Sequence, residues 1–177
     1  MMEQTAQKIA LLVIDVQKGL FEKSTRIYRA EQLLENINDL MSRARQAGAP
    51  VIFIQHSNPT VLEEGSVGWH LHPRIQPLAD EPIVHKTHGN AFEDTNLSEE
   101  LTKRDISNLV ITGLVTHGCV KATCLGALEE GYQVILVSDA HSSYSKDAAN
   151  MIEKWNHELH EKGAIVKQTR EITFSGK

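Results

Sequence analysis

Short apolar runs separated by longer stretches of helical period constrain the fold of this chain more than any other feature. Ile9 to Ile14 form the first run; Val51 to Gln55, Ile83 to Lys86, Leu109 to Thr112 and Val134 to Val137 follow, with a weaker one at Ala164 to Lys167. Their β-branched content suits strands buried on both faces. Interleaved with helices, such strands predict an α/β protein with a parallel sheet covered on its faces.

The helices carry their own signals. Leu33, Leu34, Ile37, Leu40, Met41 and Ala44 recur at helical spacing and put one apolar stripe against the sheet. That helix ends at Gly48, and later ones end at Gly131 and Gly163, where a left-handed C-terminal residue is needed before the next strand. Asn96 followed by Glu99 predicts a capping-box start for a short helix through Leu101, and Met151, Ile152, Trp155 and Leu159 mark the stripe of the last helix. The segment from Ser57 to Pro82 holds four of the five prolines and no sustained period. Trp69, Leu71 and Ile75 make it too apolar for disorder, so it is expected to be one long ordered loop serving as a lid or an oligomer contact. At 177 residues, with no repeat, low-complexity tract or linker, the chain is expected to form a single domain over residues 1–177.

Composition narrows the partners. The 18 Lys+Arg against 23 Asp+Glu give a formal charge of −5, which supplies no broad cationic field for nucleic acid or an anionic membrane surface. The longest apolar run falls far short of the roughly 20 residues a membrane span needs, and the first residues carry no signal-peptide pattern. A cytoplasmic protein acting on a small molecule is expected. Cys119 and Cys124 lie five apart with no paired framework, so cysteine chemistry must come from a single thiol.

Three residues stand at strand ends. Asp15 follows the first apolar run directly, at the edge where open parallel sheets bind ligands, although an aspartate there can also cap the following turn. Lys86 closes the Ile83 to Lys86 run, either as a solvated strand end or as a cation facing the same edge. Leu109 to Thr112 leads into Gly113 to Val120 and a helical stretch, placing Cys119 at a helix N-terminus, where exposed N–H groups favour a thiolate below the usual value of about 8.5. Cys124 reads as a buried structural thiol within that helix.

These residues carry a resemblance. Asp15-Val16-Gln17 after one apolar strand, Lys86 after another with Ala91-Phe92 shortly behind, and Gly113-x-x-Thr116-x-x-Cys119-Val120 resemble the isochorismatase-like cysteine hydrolases, and the likeness continues through Gly131-Tyr132 and Ser138-Asp139-Ala140. The resemblance implies a three-layer α/β/α sandwich around a mostly parallel, Rossmann-like sheet of about six strands. It also implies a Cys119-Asp15-Lys86 triad acting on C–N bonds of small amides, in a homo-oligomer. Cys119 would be the nucleophile, Asp15 the proton carrier and Lys86 the partner that holds the carboxylate. The same resemblance implies a cis peptide at Val115-Thr116 and an oxyanion hole from the backbone N–H groups of Thr116 and Cys119.

Two departures bear on the substrate. Nicotinamidases hold a metal with an Asp-x-His element and a further His after the second strand, whereas this chain has Gln55-His56-Ser57-Asn58. Isochorismatases proper lack the cysteine. Cofactor-free, metal-independent chemistry is therefore expected, even with nine histidines, because none of His56, His70, His72, His85 and His88 has a convincing ligand spacing. His117 either touches substrate or a neighbouring subunit, or is an exposed polar residue at the helix start. Phe21, Trp69 and Phe92 are the candidate substrate-binding side chains, with Tyr144 behind them, and Gln17 is expected to bond Asp15 or a loop. A non-catalytic ligand-binding or assembly protein on the same fold is the alternative; a nucleotide site lacks its glycine-rich motifs.

Overall fold

The computed structural model describes residues 8–174. The opening stretch read above as lacking a signal-peptide pattern begins outside the described residues. Six strands form one sheet: β1 (Lys8–Ile14), β2 (Val51–His56), β3 (Ile83–Lys86), β4 (Ile106–Leu114), β5 (Gln133–Ser142) and β6 (Ile165–Lys167). Their order is β3-β2-β1-β4-β5-β6 and every pairing is parallel. The helices are α1 (Lys18–Phe21), α2 (Ala30–Gln46), α3 (Leu97–Thr102), α4 (Lys121–Glu129) and α5 (Ala148–Glu161). Among the described residues no helix is long and apolar enough to cross a membrane.

Strand alternation divides the core into two layers. Leu11 and Val13 of β1 face the α2 stripe of Leu33, Leu34, Ile37, Leu40, Met41 and Ala44. Ala10, Leu12 and Ile14 face Leu97 and Leu101 of α3, Ala127 of α4 and Leu159 of α5 on the other side. Burial of each such side chain contributes about 1.5–3 kcal/mol, so the α2 stripe alone is a large part of what holds the helix on the sheet. Gly48, Gly131 and Gly163 take positive φ after α2, α4 and α5, as the sequence predicts. The α5 stripe is shallower than expected, since Leu159 is buried while Met151, Ile152 and Trp155 are only partly so. Asn96 makes no side-chain cap; the neighbouring Thr95 takes the role, its hydroxyl accepting from Leu97 N at 3.2 Å and donating to the Ala91 carbonyl at 2.6 Å.

Two details bring the strand ends together. Gly113 has φ +120°, and a Cβ there would run into the Ile14 carbonyl oxygen, so glycine alone lets the end of β4 lie against the end of β1. Further on, β4 advances two residues from Ile111 to Gly113 while β5 advances five from Leu136 to His141. This bulge sets His141 opposite Gly113 and beside the turn that follows β4.

The Ser57 to Pro82 segment holds no helix or strand. Its apolar residues serve the chain's own core: Leu62 and Ile75 are buried on the α2 side and Leu71 packs against that layer. The side chains that suggested a lid or subunit contact are thus largely engaged internally. Val61, Val67 and Leu78 are the exposed large apolar residues of this stretch.

Candidate active site

β1 and β4 are neighbours at the point where the strand order reverses, the position at which doubly wound sheets present a crevice. Asp15 leaves β1 with φ 52°, a left-handed conformation that aspartate tolerates better than most residues, and its backbone is held by Asp15 N donating to Ile54 O at 2.9 Å and Gln17 N donating to Asp15 O at 2.8 Å. Lys86 ends β3 and points to the same face as Val84, opposite to the exposed His85. Cys119 sits in a kinked helical turn, Thr116–Val120, that runs into α4.

Lys86 Nζ is the hub of the cluster. It lies 3.1 Å from Asp15 Oδ2, 3.1 Å from Cys119 Sγ, 2.7 Å from His56 Nδ1 and 3.0 Å from the carbonyl of His88. The Lys86 and Asp15 side chains are almost entirely out of solvent. Asp15 Oδ1 is buried and has no hydrogen-bond partner among the described residues. One ligand atom each of Asp15, His56 and Cys119 lies within 4.8 Å of the others, which places the thiol beside this carboxylate.

Burial dominates the electrostatics. It pushes the Asp15 carboxyl up, against the pull of the Lys86 ammonium. The Cys119 thiol is pushed up to about 12, first by burial and then by the Asp15 charge, and the Lys86 ammonium offsets only part of this. This direction is opposite to the low thiol pKa expected from the helix terminus, because burial and a neighbouring carboxylate both disfavour the thiolate. His56 is held below the usual imidazole range, by burial and then by Lys86.

A family model described as the isochorismatase domain matches residues 9–168. The chain belongs to the isochorismatase family. Among curated proteins, a streptothricin hydrolase from Streptomyces noursei is 38% identical over 146 residues, covering 79% of this chain and 56% of that protein. Nicotinamidase 3 from Arabidopsis thaliana is 27% identical over 154 residues, covering 78% of this chain and 75% of that protein. A solved isochorismatase family protein superposes with a TM-score of 0.86 at 31% identity, over 91% of this chain and 98% of the other.

Within this isochorismatase domain, not every residue singled out in the sequence reaches the cluster. Asp15, Lys86 and Cys119 do. The cis peptide lies at Leu114-Val115, one residue earlier than the resemblance implied. Thr116 is buried with its hydroxyl 2.8 Å from His141 Nδ1, and Val115 O accepts from Gly118 N at 3.0 Å and Val120 N at 3.2 Å, on either side of Cys119. Phe92 stacks on Tyr132 at the opposite, entry end of β5, because the chain after Lys86 descends along α4, where Asn90 lies against Gly126. Phe21 meets His72 at 4.6 Å between ring centroids, and Trp69 stacks on His85 at 5.6 Å while donating to Ser57 Oγ at 2.9 Å. These contacts involve neither Asp15 nor Lys86 nor Cys119.

Gln17 is wholly buried and serves the fold, donating to the carbonyls of His56 and Trp69 and accepting from His56 N. His117 is half-buried with Nδ1 3.4 Å from Ser143 Oγ. Cys124 is buried in the core. Two contacts are not legible in the sequence. His56 is the register partner of Lys86 across β2 and β3, and His141 bridges Thr116 to Asn156 Oδ1, 2.8 Å from its Nε2. The three candidate metal ligands, Asp15, His56 and Cys119, all surround the Lys86 ammonium. The donor set thus does not fit a resident metal: the cation at its centre is a side chain, and no carboxylate stands at Gln55 to Asn58.

Proposed function

We propose that this protein is a cysteine-dependent hydrolase that cleaves a C–N, amide-type bond of a small molecule through a thioester on Cys119. The observation that carries the reading is Lys86 Nζ at 3.1 Å from both Asp15 Oδ2 and Cys119 Sγ, with the Lys86 and Asp15 side chains almost wholly buried. The similar proteins support it, since one is named for hydrolysing streptothricin and another for nicotinamide. This chain spans only 56% of that streptothricin hydrolase, so the substrate is taken from the chemistry rather than from the relative.

The resting thiol is neutral, and its proton must leave as it attacks. Asp15 takes that proton: burial raises its basicity above an ordinary carboxylate, and its Oδ1 is a buried acceptor without a partner. Lys86 stabilises the charge that grows on sulfur. The carbonyl oxygen becomes an oxyanion held by the backbone N–H groups of Thr116 and Cys119, donors whose loss typically costs about 100- to 1000-fold in turnover. Collapse breaks the C–N bond, and the leaving amine takes the proton from Asp15. Water then gives a proton to Asp15 and attacks the thioester; the acid departs and the proton returns to sulfur. No cofactor enters any step.

The test is a screen of small amides for amine or ammonia release, run beside Cys119→Ala. Turnover that disappears in the variant, while its circular dichroism and melting are unchanged, is the expected result. A substrate that Cys119→Ala hydrolyses at a comparable rate overturns the reading.

A further inference from the structure

Lys86 has three N–H donors and four acceptors around it: His56 Nδ1, the His88 carbonyl, Cys119 Sγ and Asp15 Oδ2. The His56 contact, at 2.7 Å, is the shortest of the four. It is also built into the sheet, because β2 and β3 pair His56 with Lys86 in register. Gln17 holds the His56 backbone at both its N–H and its carbonyl, each at 2.9 Å, which fixes the point from which the ring reaches Lys86.

We infer that His56 is a positioning residue for Lys86: its neutral ring accepts one ammonium proton and so keeps the other two turned toward Asp15 and the sulfur. A ring nitrogen facing an ammonium must present its lone pair, which fixes the imidazole proton on Nε2. Without that anchor the proton now held by His56 is free to strengthen the contact with the His88 carbonyl, already at 3.0 Å, at the expense of the neutral sulfur. The charged and titratable groups facing the ring are Lys86 from β3, Asp15 from the end of β1, Cys119 from the turn before α4 and His88 from the loop after β3. Protonating His56 would set a second cation against Lys86 and turn the ammonium away.

The inference rests on the proposed hydrolysis for its kinetic consequence but not for its structural one, and the experiment separates the two. Long-range nitrogen–proton NMR of the wild-type imidazoles should show His56 as the Nε2–H tautomer at neutral pH, titrating below an ordinary histidine, with Lys86→Met raising that midpoint. On any amide that the wild type turns over, His56→Leu should lower kcat by about 10- to 100-fold, the scale on which partners that orient a functional group act, with little change in KM. His56→Asn, whose side-chain oxygen can stand where Nδ1 stands, should recover most of the loss. An Nδ1–H tautomer, a His56 midpoint indifferent to Lys86→Met, or equal impairment in the leucine and asparagine variants overturns the proposal. Absence of any amide turnover in the wild type counts against the hydrolase reading, and the NMR result still decides the role of His56.

Discussion

Cys119 Sγ lies 3.1 Å from the Lys86 ammonium, yet its thiol is pushed up to about 12. A cation that close favours a thiolate, but here burial and the Asp15 carboxylate together prevail. A thiol raised in this way stays protonated at rest, so its proton is expected to pass to the neighbouring carboxylate as the sulfur attacks.

This balance predicts opposite movements in two variants. Asp15→Asn removes a like charge beside the sulfur and should bring the pH midpoint of Cys119 alkylation down by about one unit or more, while turnover collapses because the base is gone. Lys86→Met should move that midpoint up. Iodoacetamide rates measured against pH, with Cys124 replaced, give both numbers. A wild-type midpoint near neutral pH would contradict the arrangement.

Asp15, Lys86 and Cys119 share contacts, so their substitutions should not add. Asp15→Asn and Lys86→Met are each expected to reduce kcat/KM by about three or more orders of magnitude, and the double variant to be little worse than either. Cys119→Ser should be nearly as impaired as Cys119→Ala, since a hydroxyl is harder still to ionise in this buried site. Strictly multiplicative losses would show that the three do not work as one unit.

With the Lys86 ammonium at the centre of Asp15, His56 and Cys119, a metal and this side chain compete for one place. Chelator treatment should therefore leave turnover unchanged. Elemental analysis paired with chelation checks this, and activity lost to the chelator and restored by one metal alone would defeat it.

What the sequence revealed followed physical periodicity. All six strands sit where apolar runs end in polar residues, and Asp15, Lys86 and Cys119 were visible because each ends or follows such a run. Features that depend on register were not visible. His56 meets Lys86 only because β2 and β3 pair at that offset, and His141 reaches Thr116 only through the five-for-two bulge of β5. The packing of Phe92 on Tyr132 was not visible either, because the spacing after Lys86 fixes distance along the chain but not the path beside α4.

His141 yields a prediction about stability rather than rate. Its ring is wholly buried between the Thr116 hydroxyl and Asn156 Oδ1, and burial holds it down at about 4. In the unfolded chain the same histidine titrates near about 6.5. Between those two values the unfolded state binds a proton that the folded state refuses, so stability is fully present above about 6.5 and declines as pH falls toward 4. Over the whole window the loss is on the order of 3 kcal/mol, and most of it should already be evident at pH 5. His141→Gln removes the titrating group while keeping an amide that can bond Thr116 or Asn156. Urea unfolding at pH 7 and pH 5 should show a drop in the wild type that exceeds the drop in the variant by about 2 kcal/mol, whatever the variant's absolute stability. His56, His72 and His117 are also held low, but they titrate in both proteins and cancel in the comparison. Equal drops in the two proteins would mean that His141 takes up its proton as readily folded as unfolded, and that the Thr116–His141–Asn156 chain does not hold a neutral ring.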